Sequence, residues 1–140
     1  MCQIENWVIF LLLVMCSVSD LRRKTIPIVL ILVLGIAVIG FAIFGDSIGV
    51  RLRVGGAILG MLFLLISKCT REAIGYGDSW LILLLGIQLG YLEAICVLFV
   101  ASLLAGVASL FFLWKCKWKR NTSLPFVPFL SVSYLGAMLL

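Results

Sequence analysis

The sequence contains no histidine and no CxxC pair among its five cysteines, and these absences exclude several kinds of active site. A Ser-His dyad, a Cys-His nucleophile and an HExxH metalloprotease each need an imidazole. A zinc site needs ligand spacings that are missing here. We therefore expect no metal and no cofactor, and the chemistry that remains open rests on carboxylates.

Charge is also scarce. Only 12% of the 140 residues are charged and 64% are hydrophobic, with a mean hydropathy of +1.29. A soluble domain is about half apolar and about a quarter charged, so an ordinary soluble domain is excluded. The composition predicts an all-α polytopic membrane helix bundle, with a single domain over residues 1–140 because little polar length remains for another.

Six apolar segments predict about six transmembrane helices, at residues 6–19, 26–44, 54–67, 79–91, 92–114 and 125–140. Several are shorter than the ~20 residues of a full membrane span. The first segment follows a stretch without Lys or Arg and precedes no small-residue cleavage site. It is therefore interpreted as a retained helix and not as a signal peptide.

Basic residues predict the orientation. With six spans, the loops 20–25, 68–78 and 115–124 lie on one side and hold nine of the eleven Lys and Arg residues, against Arg51 and Arg53 on the other. The positive-inside rule places those three loops in the cytoplasm and both termini outside. We expect the protein to lie in the cytoplasmic membrane. We therefore explain the net charge of +5 by the orientation of the protein in the membrane and by contact with anionic lipid, and we expect no nucleic acid partner.

Two acids fall on that cytoplasmic side at the ends of apolar segments, Asp20 and Asp78. Two carboxylates that approach closely share one proton, so one takes a proton from water while the other donates one. We predict that they form an aspartyl protease site. Gly75 and Gly77 have no Cβ and let the backbone before Asp78 bend and a substrate strand come close. The plainer interpretation is two solvated residues at a membrane boundary.

A hard-cation site formed by Asp20, Glu72 and Asp78 is a weaker alternative, because such sites usually need more oxygen ligands. Glu72 is otherwise interpreted as a loop residue with a minor role in assisting the site.

Small residues four apart predict close helix packing in three segments. The pairs are Gly56 and Gly60, Gly86 and Gly90, and Ser102 and Gly106.

Three motifs in order resemble those of a known family. Gly75-Tyr76-Gly77-Asp78 resembles the GxGD motif of intramembrane aspartyl proteases. The stretch that begins at Asp20 and ends in Ile26-Pro27 resembles the first aspartate motif of type IV prepilin peptidases. The segment Pro125-Phe126-Val127-Pro128-Phe129 resembles their Pro-Phe-x-Pro-Phe signature.

The resemblance implies that Asp20 and Asp78 are the catalytic pair and that Pro27, Pro125 and Pro128 lie near the site. It also implies a prepilin or pseudopilin substrate, in which a short basic leader precedes a hydrophobic helix. The cut then falls after a glycine on the cytoplasmic side.

The chain departs from the family pattern at two positions. Ile28 stands where the family often has Asn, and Trp80 where it often has Lys. Lys24, Lys68 or Arg71 is the candidate for supplying the missing cation. The chain also lacks the cytoplasmic segment with paired cysteines found in bifunctional members. We therefore expect a peptidase without N-methyltransferase activity, similar to the short peptidases of Flp/Tad-type pili or archaeal preflagellins.

The alternative function is a small non-enzymatic membrane subunit, a transporter component or assembly scaffold with acids at the membrane boundary. Such a protein would tolerate Asp20→Asn and Asp78→Asn. In either case the lipid bilayer is a partner, and the oligomeric state stays open.

Overall fold

The computed structural model describes residues 2–23, 27–45, 49–70, 76–116 and 125–140, and the regular structure within those ranges is entirely helical. The helices are α1 (Cys2–Arg23), α2 (Ile28–Phe44), α3 (Val50–Cys69), α4 (Tyr76–Leu89), α5 (Tyr91–Cys116) and α6 (Val127–Leu139). The prediction of an all-α membrane bundle with about six helices is confirmed.

Three of the helices are long and apolar enough to cross a membrane, at Gln3–Arg23, Val50–Cys69 and Tyr91–Lys115, and three shorter ones are apolar. Each predicted segment corresponds to one helix. The predicted ends were less accurate, since α1 runs four residues further at each end than the apolar run 6–19. Polar residues at a membrane boundary still satisfy their backbone groups by helical hydrogen bonds, so the helix extends beyond the apolar run at both ends.

Helices α3 and α4 are antiparallel and touch backbone to backbone. A Cβ added at Gly56 would overlap the carbonyl of Gly86, and one added at Gly60 would overlap the backbone of Leu83. As numbers rise along α3, the contacted numbers fall along α4. The absence of side chains at these glycines is what allows the approach.

A single residue, Gly90, joins α4 to α5. Its φ of +82° is in the left-handed region, which costs little for glycine and more for any residue with a Cβ. The chain therefore reverses direction with almost no loop, and α5 returns antiparallel to α4.

The packing forms a ring. Helix α1 contacts α2 and α6, α2 contacts α4, α4 contacts α5, and α5 contacts α6, while α3 packs outside against α4 and α5. The ring encloses a core to which α1, α2, α4, α5 and α6 contribute, with fully buried members Ile9, Leu13, Cys16, Leu34, Val38, Leu81, Ala101, Val127 and Leu130. The remaining exposed apolar surface suits contact with lipid.

The small-residue patterns had two outcomes. Gly56, Gly60 and Gly86 mediate the α3–α4 contact as predicted, and Gly90 lies against Leu52 at the same interface. The prediction for Ser102 and Gly106 is wrong, because Gly106 has no neighbouring atom within 4 Å of an added Cβ. The Ser102 hydroxyl donates instead to the carbonyl of Phe99 in its own helix, at 2.8 Å.

Candidate functional site

The two predicted aspartates lie at opposite ends of their helices. Asp20 is near the last turn of α1, followed by Arg22 and Arg23. Asp78 is in the first turn of α4, ahead of the apolar part of that helix, which begins at Trp80. A helix N-terminus stabilises a nearby carboxylate and a C-terminus does not, so the two acids have different local fields.

Contacts between α1 and α2 define the level of Asp20. At the far end of the bundle, a Cβ on Gly45 would lie 3.0 Å from Oε1 of Glu5. Fifteen residues lead from Glu5 to Asp20 along α1, and fifteen lead back from Gly45 to Leu30 along α2. Because both helices rise by the same amount per residue, Asp20 is level with the first turn of α2.

Contacts between α2 and α4 define the level of Asp78. A Cβ on Gly35 would lie 3.7 Å from Cδ2 of Leu84. Six residues lead back from Leu84 to Asp78 in α4, and six lead back from Gly35 to Val29 in α2. Asp78 is therefore also level with the first turn of α2.

Electrostatics agree with this register. Burial, followed by the negative charge of Asp20, raises the pKa of Asp78 from its ordinary 3.8 to about 6. Both causes disfavour the ionised carboxylate. The charge of Asp20 therefore contributes to the raised pKa of Asp78. The two residues come from different helices, α1 and α4, which both pack against α2.

Buried small polar side chains lie at the ends of α1, α3 and α4 that are level with the two acids. Cys16, one turn before Asp20, has no exposed surface, and Ser17 is also buried. Ser67 near the end of α3 and Ser79 beside Asp78 are fully buried as well. Sequence reasoning did not select these two serines. The available signal was their position on the same helix faces as the packed glycines.

The predicted glycine and proline residues occupy helix starts. Gly77 is half-buried in the first turn of α4, and Pro27 immediately precedes α2 with a φ of −65°. Pro125 precedes α6, and Pro128 is within its first two residues. Proline suits these positions because the first N–H groups of a helix have no intrahelical acceptor. Pro128 therefore starts a helix and does not kink one.

The predicted cations are only partly described. Lys68 is exposed in the last turn of α3. Lys24 and Arg71, together with Gly75 and Glu72, lie outside the described residues, so the proposed charge assistance and the three-carboxylate metal site stay predictions. Within the described ranges, no three His, Cys, Asp or Glu residues come together in a way that could hold a metal ion.

The comparisons with known proteins converge on one family. A family model described as "Type IV leader peptidase family" matches residues 7–110, a range that contains both Asp20 and Asp78. Two curated relatives, each named "Prepilin leader peptidase/N-methyltransferase", come from Burkholderia pseudomallei strains 1026b and K96243. Each is 33% identical over 121 residues, which covers 82% of this chain and 39% of the relative. No solved structure matches the chain.

Proposed function

The chain belongs to the type IV leader peptidase family, and from this we propose that it is a membrane aspartyl endopeptidase that removes the leader peptide of prepilin or pseudopilin-like precursors. The observation that carries the proposal is the influence of Asp20 on Asp78 at the same level of the bundle. Two carboxylates from separate helices at one level, one of which raises the pKa of the other, suit acid-base hydrolysis of a peptide.

In the proposed reaction, one carboxylate takes a proton from water, and the water oxygen bonds to the scissile carbonyl carbon. The other carboxyl donates its proton to the carbonyl oxygen. The tetrahedral intermediate then collapses and the C–N bond breaks. The leaving nitrogen takes up the proton that the base removed from water, and a hydroxyl of the intermediate returns its proton to the other carboxylate. We assign the shared proton to Asp78, because burial and the neighbouring charge favour its neutral form. Asp20 is then the base.

We propose that the pair acts at the cytoplasmic face of the cytoplasmic membrane. The support is the distribution of basic residues: in the described part of the chain, Arg22 and Arg23 end α1 and Lys68 and Lys115 end α3 and α5, all at the end of the bundle that holds the two acids. A precursor with a basic leader would present its cleavage site on that side.

The absence of methyltransferase activity stays a prediction. The curated relatives carry both activities in their names, and the chain spans 39% of their length. Transfer of a labelled methyl group from S-adenosylmethionine to a cleaved precursor measures it directly. We expect cleavage without label incorporation.

The test of the proposed function is cleavage of a co-expressed prepilin-like precursor by wild type, Asp20→Asn and Asp78→Asn. Each substitution removes an ionisable carboxyl and nearly preserves its shape. We expect both variants to accumulate in the membrane and to lose cleavage by a factor of about 10²–10⁴, as expected for loss of an acid-base group whose partner cannot replace it.

Glu93→Gln is the matched control. Glu93 is exposed in the first turn of α5, at the end of the bundle away from the pair, and its loss also removes one carboxylate. We expect normal cleavage from this variant. Normal cleavage by Asp20→Asn or Asp78→Asn would instead exclude the pair and favour the non-enzymatic membrane subunit.

A further inference from the structure

The α3–α4 interface has a regular construction that ends beside the candidate site. Gly56 and Gly60 are four residues apart on one face of α3, and Leu83 and Gly86 are three apart on one face of α4. Residues with these spacings lie one above the other on a helix. The two faces meet without intervening side chains at the glycines, so small rotations of either helix would bring atoms into overlap.

Ser67 and Ser79 continue the two faces toward the end that holds Asp78. Ser67 lies seven residues after Gly60 and Ser79 lies seven residues before Gly86, which is about two helical turns in each case. Both serines are fully buried. Buried hydroxyls are normally hydrogen-bonded, and neither serine is without an interaction partner.

The first turn of α4 needs such support. Helix α4 has only 14 residues, and Asp78 is the third of them. The first N–H groups of a helix lack intrahelical acceptors, so the first turn is the part least constrained by its own backbone. Ser79 follows Asp78 directly and is the first fully buried residue of α4.

We infer that Ser67 and Ser79 are positioning residues, which anchor the first turn of α4 against α3 and thereby direct the Asp78 carboxyl toward Asp20. The inference rests on the proposed catalytic role of the pair. It assigns a role to the polar end of an interface whose contacts at Gly56, Gly60 and Gly86 involve backbone atoms.

The variants Ser67→Ala and Ser79→Ala test the inference. Each removes a hydroxyl and keeps the Cβ, so the close packing of the helices can persist. A small displacement of a catalytic group lowers the rate of the chemical step, so we expect kcat to fall about tenfold while KM changes less than about twofold.

A second measurement does not depend on activity. A carbodiimide reacts with protonated carboxyl groups, and the midpoint of labelling at Asp78 against pH reports its titration. We expect the serine variants to move this midpoint by about half a pH unit or more. The charged groups described at this end are unchanged in both variants, so the shift reports geometry; besides Asp78 itself they are Asp20, Arg22, Arg23, Lys68 and Lys115.

Ser133→Ala is the matched control. Ser133 is also a buried serine, and its hydroxyl donates to the carbonyl of Val97 at 2.6 Å, at the contact between α5 and α6. We expect Ser133→Ala to lower the unfolding temperature in detergent without changing kcat or the labelling midpoint.

Wild-type kcat and midpoint in both Ser67→Ala and Ser79→Ala would overturn the inference, as would an equal change in Ser133→Ala. Where an alanine variant does not accumulate, Ser67→Cys or Ser79→Cys nearly preserves volume but weakens the hydrogen bond and must give the same shift. Because labelling needs no substrate, the midpoint stays informative even if Asp78→Asn proves active and the proposed function fails.

Discussion

Partial burial of Asp78, together with the charge of Asp20, works against folding at neutral pH. The carboxyl titrates at about 6 in the folded protein, against an ordinary value of 3.8. Below pH 3.8 both states are protonated and no penalty exists. As pH rises from there to about 6, the unfolded chain loses its proton first, so stability falls. Above pH 6 the full penalty is present, at most on the order of 3 kcal/mol.

We therefore predict that Asp78→Asn increases stability while it abolishes cleavage. The amide carries no charge, so the penalty of the partly buried carboxylate disappears. Thermal unfolding in detergent at pH 7.5 should show a higher midpoint for Asp78→Asn than for wild type, and the difference should vanish near pH 4. A lower midpoint at pH 7.5 would instead identify Asp78 as a structural residue.

A second prediction tests the proximity of the two acids. Removing a neighbouring negative charge favours ionisation, so Asp20→Asn should lower the pKa of Asp78 from its value of about 6. Carbodiimide labelling of Asp78 against pH should show its midpoint move to lower pH. Glu93→Gln removes a distant carboxylate and should leave the midpoint in place. Equal midpoints in wild type and Asp20→Asn would place the two carboxyl groups too far apart to share a proton.

The sequence was informative about these acids and uninformative about the serines beside them. Asp20 and Asp78 could be assigned to the same side because flanking basic residues report topology, whatever the packing. Ser67 and Ser79 carry no charge and interrupt apolar segments only mildly. Their burial arises from the register between α3 and α4, which depends on contacts far apart in the chain.

At the scale of helices, the α3–α4 contact determines where Asp78 lies. We predict that Gly86→Ala destabilises the protein, because the added Cβ would overlap the Gly56 carbonyl and force the helices apart. Overpacking of this kind costs about 1–3 kcal/mol. Cleavage should fall as well, since α4 carries Asp78. Both effects are measured by thermal unfolding in detergent and by the precursor assay.

Gly106→Ala is the control for this prediction. Gly106 lies in α5 with no atom within 4 Å of an added Cβ, so its substitution should be neutral or stabilise the helix by about 0.5–1 kcal/mol. Wild-type stability in Gly86→Ala would show that the two helices do not pack as closely as described.

The patterns of small residues in α3 and α5 show why helix contacts could be predicted from sequence only in part. The pattern of two small residues four apart is local, and it occurs in α5 at Ser102 and Gly106 as it does in α3 at Gly56 and Gly60. Only the α3 pattern faces another helix backbone. Hydropathy locates the helices well, but which face of each meets a neighbour depends on the whole bundle.

At the scale of the molecule, the ring of helices brings together motifs that are distant in sequence. Helix α2 packs against both α1 and α4, so it holds the ends that carry Asp20 and Asp78 at one level. Helix α6 packs against α1 and α5, and it starts at Val127, with Pro128 in its first turn, at the same end. A substrate that reaches the pair therefore meets several helix ends on one face of the bundle.

The side of the membrane on which this face lies can be tested with α3, whose two ends are both exposed. Native Cys69 is at the end near the pair, and Val50 is at the opposite end. The test uses two single-cysteine proteins. One keeps Cys69 as its single cysteine, the other has Val50→Cys as its single cysteine, and both have unchanged charges. Because most basic residues flank the Cys69 end, a membrane-impermeant maleimide should label Val50→Cys in intact cells and Cys69 only after permeabilisation. Labelling of Cys69 in intact cells would show that the end of the bundle with the pair lies outside the cytoplasm. The pair could then not reach a leader peptide in the cytoplasm, and the proposed substrate would be wrong.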